Sequence, residues 1–264
     1  MGQVISIANQ KGGVGKTTTA INLAASIAAA ERSCLLIDCD PQGNATTGLG
    51  IEKSTTKKGL YDFILGTSTE QEVILGSAMP RLDVIAATPD LVGAEVEMGS
   101  LDDRELRLRN RILPLKEHYD YVFLDCPPSL GFLTLNALAA ADAVLVPLQC
   151  EFYALEGLTQ LLKTLRAIRN GLNPGLRLAG ILLTMHDARN NLSLQVEEEV
   201  RNHFQDAVFE SIIPRNVRLS EAPSYGEPVL LYDIKSKGAQ SYLALAKELM
   251  SRRTTDYDQA SGAR

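Results

Sequence analysis

The apolar run Val4-Ile5-Ser6-Ile7-Ala8 leads, after two residues, into Lys11-Gly12-Gly13-Val14-Gly15-Lys16-Thr17-Thr18. A strand that feeds a glycine-rich loop ending in Lys-Thr and opening a helix is a phosphate cradle. Loop N–H groups and the helix N-terminus face the anion, the lysine reaches the β- and γ-phosphates, and the threonine hydroxyl meets Mg²⁺. The generic pattern is Gly, four residues, then Gly-Lys-Ser/Thr. Here Gln10 stands where that frame has its first glycine, and Lys11 adds a second lysine. A lysine so early in the loop cannot easily curl back to its own nucleotide. It is available to a neighbouring subunit's phosphates.

Strand-like runs alternate with helical patterns along the rest of the chain. The runs are Val4–Ala8, Cys34–Ile37, Leu82–Ala86, Tyr121–Leu124, Ala143–Pro147, Leu178–Thr184 and Val208–Ile213. The helical candidates are Thr17–Ala30, Leu101–His118, Thr134–Ala140, Glu156–Arg169, Ser193–Phe204 and Ala239–Ser251. Near-continuous Val/Ile/Leu/Ala runs suit strands buried on both faces of a mostly parallel sheet. The order predicts an α/β fold, doubly wound, with helices on both faces and ligands at the C-terminal strand edge. The 264 residues are read as a single domain over 1–253 with a polar, fraying tail over 254–264. The segment Ser54-Thr55-Thr56-Lys57-Lys58-Gly59 reads as a surface excursion.

Two further strands end in acids. Leu35-Leu36-Ile37 delivers Asp38 and Asp40, followed by Pro41-Gln42-Gly43, and Tyr121-Val122-Phe123-Leu124 delivers Asp125. Beside a phosphate cradle such acids position water and Mg²⁺, because the metal takes oxygen ligands. The single acid of the second strand has the form of a Walker-B element.

These segments, with Gln149-Cys150-Glu151-Phe152-Tyr153-Ala154-Leu155-Glu156-Gly157 and the late loop Ile213-Pro214-Arg215-Asn216-Val217-Arg218-Leu219-Ser220-Glu221-Ala222-Pro223, resemble the ParA/Soj branch of the deviant Walker-A ATPases. The likeness runs from about residue 3 to about residue 250. It implies that Gly12, Gly13, Val14 and Gly15 cradle ATP, Lys16 holds its β/γ-phosphates and Thr18 touches the α-phosphate. Thr17 would ligate Mg²⁺, with Asp38 and Asp125 in the surrounding shell. Asp40 would orient the attacking water, Pro214 and Asn216 would flank adenine, and Lys11 would cross into the partner's site. The guanine-reading Asn-Lys-x-Asp signature is absent, which agrees with ATP. The resemblance further implies a homodimer when ATP-bound, non-specific binding of double-stranded DNA through Arg189 and Arg218, and a ParB-type centromere-binding partner that stimulates hydrolysis. The expected location is the cytoplasm, on the nucleoid.

Charge and composition are consistent with a local, not a global, nucleic-acid surface. The net charge of −6 argues against wholesale coating, yet Arg177 to Arg253 carries ten basic and ten acidic residues, so the deficit lies elsewhere. Arg215, Lys235 and Lys237 join the two arginines in that stretch. No signal peptide is visible, and no apolar stretch approaches the ~20 residues of a membrane span. Cys34, Cys39, Cys126 and Cys150 have no Cys-x-x-Cys pairing and read as reduced, buried thiols. His118, His186 and His203 have no metal-ligand spacing, and His186 reads as a surface imidazole. Phe152 and Tyr153 read as packing on the sheet edge or a dimer face.

Three competing classes share the loop. A MinD-type membrane ATPase needs a C-terminal amphipathic helix, and Ser251-Arg252-Arg253-Thr254-Thr255-Asp256-Tyr257-Asp258-Gln259 has no apolar face. An electron-transfer ATPase like the nitrogenase iron protein needs cysteines placed to bridge a cluster, a motif Cys126 lacks. A small-molecule kinase or ligase would release no phosphate without an acceptor.

Overall fold

The computed structural model describes residues 2–99 and 101–252, so the tail over 254–264 lies outside the described residues. Seven strands form one sheet: β1 Gln3–Ile7, β2 Cys34–Asp38, β3 Ile74–Gly76, β4 Leu82–Ile85, β5 Tyr121–Asp125, β6 Ala143–Gln149 and β7 Arg177–Thr184. Their order is β3-β4-β2-β5-β1-β6-β7. All pairings are parallel except β3 with β4. The helices are α1 Lys16–Ala29, α2 Asn44–Gly48, α3 Leu60–Leu65, α4 Glu70–Val73, α5 Leu91–Met98, α6 Arg107–Ile112, α7 Phe132–Ala140, α8 Ala154–Asn170, α9 Asn191–Phe204, α10 Val217–Glu221, α11 Val229–Tyr232 and α12 Lys237–Ser251.

Alternation along the strands divides the core in two. Val4, Leu35, Ile37, Val122 and Leu124 pack on one face with residues of α3 and α5 to α9. Ile5, Ile7, Leu36 and Phe123 face the other way, onto α1 and α12. Side chains of successive strand residues point to opposite faces, so covering both faces requires apolar residues at every position. The continuous runs of the sequence are therefore the expected signature, and the doubly wound fold follows.

Two expectations about elements fail, each for a local reason, and a third holds. Val208–Ile213 is not a strand. It touches β7 through Phe209 N–H on Ile181 O and Ile213 N–H on Leu183 O, but the Glu248 carboxylate of α12 takes the intervening N–H groups of Glu210 and Ser211 at 2.8 and 2.9 Å. The Phe209 ring also presses on Gly180, where a Cβ would lie 2.5 Å from it. Leu101–His118 is not one helix, since Asp103 has φ 51° and Pro114 opens a 3₁₀ turn over Pro114–Glu117. Ser54 to Lys58 do lie largely at the surface, but they are followed at once by core: Leu60, Phe63, Ile64 and Val73 are fully buried.

Smaller readings also separate. All four thiols are buried and unbridged. His186 is not a surface imidazole; its side chain is 10% exposed, with Nε2 2.9 Å from Glu197 Oε2. Phe152 and Tyr153 do not pack on the sheet edge but stand exposed. No helix among the described residues is long and apolar enough to cross a membrane.

Candidate nucleotide site

The loop after β1 is held at both ends. Asn9 donates to Pro147 O at 2.7 Å and accepts from the Lys11 N–H at 3.0 Å, while the Thr184 hydroxyl at the end of β7 donates to Val14 O at 2.9 Å. Gly13 and Gly15 have φ of 76° and 87°, left-handed values that glycine adopts without steric cost. Gly15 is the N-cap of α1, so the helix starts directly behind the loop and its free N–H groups face the cradle. A Cβ added at Gly12 or Gly13 would meet nothing within 4 Å. The concavity is open, as an anion needs.

Lys16 and Lys11 part company within this loop. Lys16 is buried, and its Nζ donates to Lys11 O at 3.1 Å. Burial pulls its pKa down, against the pull of Asp125, Cys126 and Asp40. Lys11 is half exposed, and its ammonium is paired with the carboxylate of Glu151, just past β6. The two lysines thus serve different places.

The sheet register brings the acids together. Asp38 and Asp125, far apart in sequence, are direct partners on neighbouring β2 and β5, and Ile7 pairs with Asp125 on the other side. Asp38 is held by the protein itself: Thr46 donates to Oδ2 through its N–H and its hydroxyl, both at 2.7 Å, and the Asp40 N–H reaches Oδ1 at 3.2 Å. Asp125 is different. Both of its carboxylate oxygens are buried without a well-formed hydrogen bond, although the Thr17 hydroxyl lies near enough to favour the ionised form. Burial, followed by the neighbouring Asp38, pushes the Asp125 carboxyl well up; burial likewise raises Asp38 despite its bonds from Thr46. Asp40 is nearly buried and accepts the Gln42 N–H at 2.9 Å, closing the Asp-Pro-Gln-Gly turn.

Three carboxylates around one buried ammonium leave an excess of negative charge, and an orphaned carboxylate beside a threonine hydroxyl is a donor set for a hard cation. These residues fit Mg²⁺. Beside the loop lies a cavity of about 580 Å³ lined by Thr18, Thr184, Met185, Pro214, Asn216 and Tyr242, among others. Pro214 and Asn216 are among its lining residues, and Asn216 Oδ1 is buried without a hydrogen-bond partner. Thr184, Met185 and Tyr242 went unnoticed in the sequence, because nothing local marks them. Met185 has φ 50°, a backbone irregularity that only the structure displays.

Comparison with known proteins agrees with this geometry. A family model described as an AAA domain matches residues 2–178. The chain is 60% identical to the chromosome partitioning protein ParA of Myxococcus xanthus over 96% of its own length and 90% of that protein's. It is 54% identical to the sporulation initiation inhibitor protein Soj of Bacillus subtilis, covering 94% and 98%. The chain belongs to the ParA/Soj family. A crystal structure of cobyrinic acid a,c-diamide synthase from Mycobacterium smegmatis, with bound ATP analogue and magnesium, superposes with TM-score 0.85 at 35% identity, covering 97% of this chain and 99% of that one. The ParA/Soj member described here is a partition ATPase that uses ATP and Mg²⁺.

The arginines expected on DNA are exposed at the surface. Arg189 is 91% exposed and makes a two-pronged contact with Asp187, Nε to Oδ1 and Nη2 to Oδ2, each 3.0 Å. This holds the Asp187 carboxyl down at about 2. Arg218 pairs with Glu221 at 2.8 Å and Asp233 at 3.4 Å, and lies 5.9 Å from the Tyr232 ring centre. The two loops are tied by backbone bonds, His186 N–H to Ile213 O and Arg215 N–H to His186 O.

Proposed function

We propose that ATP pairs two copies of this chain face to face, that the pair binds double-stranded DNA without sequence preference, and that hydrolysis, stimulated by a ParB-type partner, releases it. The supporting observation is the division of labour between the lysines. With Lys16 already filling the buried end of the loop, Lys11 is a second cation at the rim, half exposed and held by a single surface acid. A surface ion pair of this kind is worth at most about 1 kcal/mol, so a triphosphate competes for the ammonium easily. Supplied in trans, such a cation acts as arginine fingers do, a device worth about 10³–10⁵ in rate.

Within one protomer the roles follow from position. The N–H groups from Gly12 to Gly15 and the Lys16 ammonium bind the phosphates, and Thr18 lies towards the α-phosphate. Thr17 and Asp125 would hold Mg²⁺, with Asp38 behind them keeping the Asp40 turn in place. The metal supplies charge neutralisation on the phosphate oxygens. Asp40 accepts a hydrogen bond from the attacking water and fixes its direction. Asn216 Oδ1 accepts from the adenine amino group, while Pro214 packs on the base. Arg189 and Arg218 meet phosphates of the duplex; pairing doubles their number and steepens the dependence of affinity on salt. The single domain works in the cytoplasm, on the nucleoid.

Light scattering coupled to size exclusion tests the central step. The wild type pairs with ATP and stays single with ADP, whereas Lys11→Ala binds nucleotide but remains single. Pairing of Lys11→Ala at the wild-type ATP concentration would remove the lysine from this role.

A further inference from the structure

The excursion between α2 and α3 carries a lysine that turns back onto the nucleotide site. Glu52 closes a tight turn there: the Ser54 hydroxyl donates to Glu52 Oε1 at 2.7 Å, and the Thr55 and Thr56 hydroxyls donate to Glu52 O at 3.2 and 2.9 Å. Lys53, inside this turn, is half-buried. Its stem lies across Gly43, where a Cβ would fall 2.5 Å from Lys53 Cδ, and its ammonium donates to Gln42 O at 2.7 Å. Lys58 of the same excursion pairs instead with Asp62 at 3.7 Å.

Gln42 is thereby gripped at both of its backbone groups. Its N–H donates to Asp40 Oδ1 at 2.9 Å, and its carbonyl accepts from Lys53. The Gly43 N–H returns to Asp40 O at 2.8 Å, and Gly43 has φ 63°, so the chain reverses where the lysine stem crosses it. The other side of this turn is fixed from the interior. There the Asp40 N–H reaches Asp38, Asp38 accepts from Thr46, and the Thr46 hydroxyl accepts the Ala87 N–H at 2.9 Å. Asp40 therefore stands between a buried wall and a clamp from the surface.

We infer that Lys53 is a positioning residue for hydrolysis: it holds Gln42 so that the Gln42 N–H keeps the Asp40 carboxylate aimed at the attacking water. The inference rests on the reading that Asp40 directs that water, and it names the group that aims the acid. Two features separate this role from an ordinary surface contact. The stem fits only because residue 43 has no side chain, and a charged donor on a carbonyl makes a stronger bond than a neutral one. A small error in aim matters, since misplacing a reacting group by about 1 Å can cost about 10² in rate.

Lys53→Met keeps the stem and removes the donor, whereas Lys53→Arg restores a donor. In steady-state phosphate release, kcat of Lys53→Met is expected to fall about 5- to 20-fold, with KM for ATP and the thermal midpoint unchanged. Lys53→Arg recovers most of that loss. Because the lysine acts through Asp40, adding Lys53→Met to Asp40→Ala lowers the residual rate no further. Wild-type kcat in Lys53→Met overturns the inference and leaves the role of Asp40 intact. A raised KM at unchanged kcat also overturns it, by moving Lys53 into nucleotide binding. So does a further fall in the double variant, or a Lys53→Arg as slow as Lys53→Met. Normal turnover in Asp40→Ala removes both readings at once.

Discussion

At the ends of β2 and β5, carboxylates outnumber the one buried ammonium, and the Asp125 oxygens have no well-formed partner. On the outer face near α9 and α10, by contrast, Arg189 is already matched by Asp187 of its own loop, and Arg218 by Glu221 of its own helix and by Asp233 after α11. The first region is incomplete without a ligand and is shaped by the fold to stay so. The second is complete by itself and must give something up to bind. Buried charge in the interior carries a large desolvation cost and forces a specific occupant, whereas solvent-exposed pairs exchange partners at little cost. Specific chemistry and adjustable affinity thus reside in different parts of one chain.

The comparison can be broken most severely at Asp40. In Asp40→Ala, turnover is expected to fall by about 10²–10⁴, the range for loss of a positioned acid–base group, while ATP binding and ATP-dependent pairing persist. Phosphate release measured beside light scattering checks both halves, and normal release would count against the assignment. A smaller effect is expected on the outer face. Removing both arginines in Arg189→Ala/Arg218→Ala takes four phosphate contacts from a pair, so the slope of log affinity against log salt drops by about four, with ATP binding unchanged. Retention on duplex DNA at moderate salt would exclude these residues. The smallest effect sharpens the contrast from the other side. Asp187→Asn frees Arg189 and removes a like charge from the phosphates, so DNA affinity measured by fluorescence anisotropy rises by up to about fivefold. A fall would mean that Asp187 orders the loop productively.

What was legible in the sequence divides along the same line. The phosphate loop and the strand-borne acids were readable because their chemistry requires particular residue types at short spacing, directly after apolar runs. The strands were readable because burial on both faces removes polar residues from them. The cavity beside the phosphate loop was only half readable: Pro214 and Asn216 lie in a marked loop, but Met185 and Tyr242 come from β7's end and from α12, joined only in three dimensions. Thr46 was missed although it fixes Asp38, since one threonine in a short helix carries no pattern. The edge strand β3 escaped notice because three residues are too few for a period. Val208–Ile213 misled for the opposite reason, an apolar run whose N–H groups found Glu248 instead of a ladder.

The pairing of Asp38 with Asp125 across adjacent strands has a wider consequence. A slip of one residue between those strands would turn one acid to the opposite side and bring an apolar neighbour in its place. Misfolded chains of that kind would be inert and not miswired, so hydrolytic competence doubles as a readout of correct strand alignment.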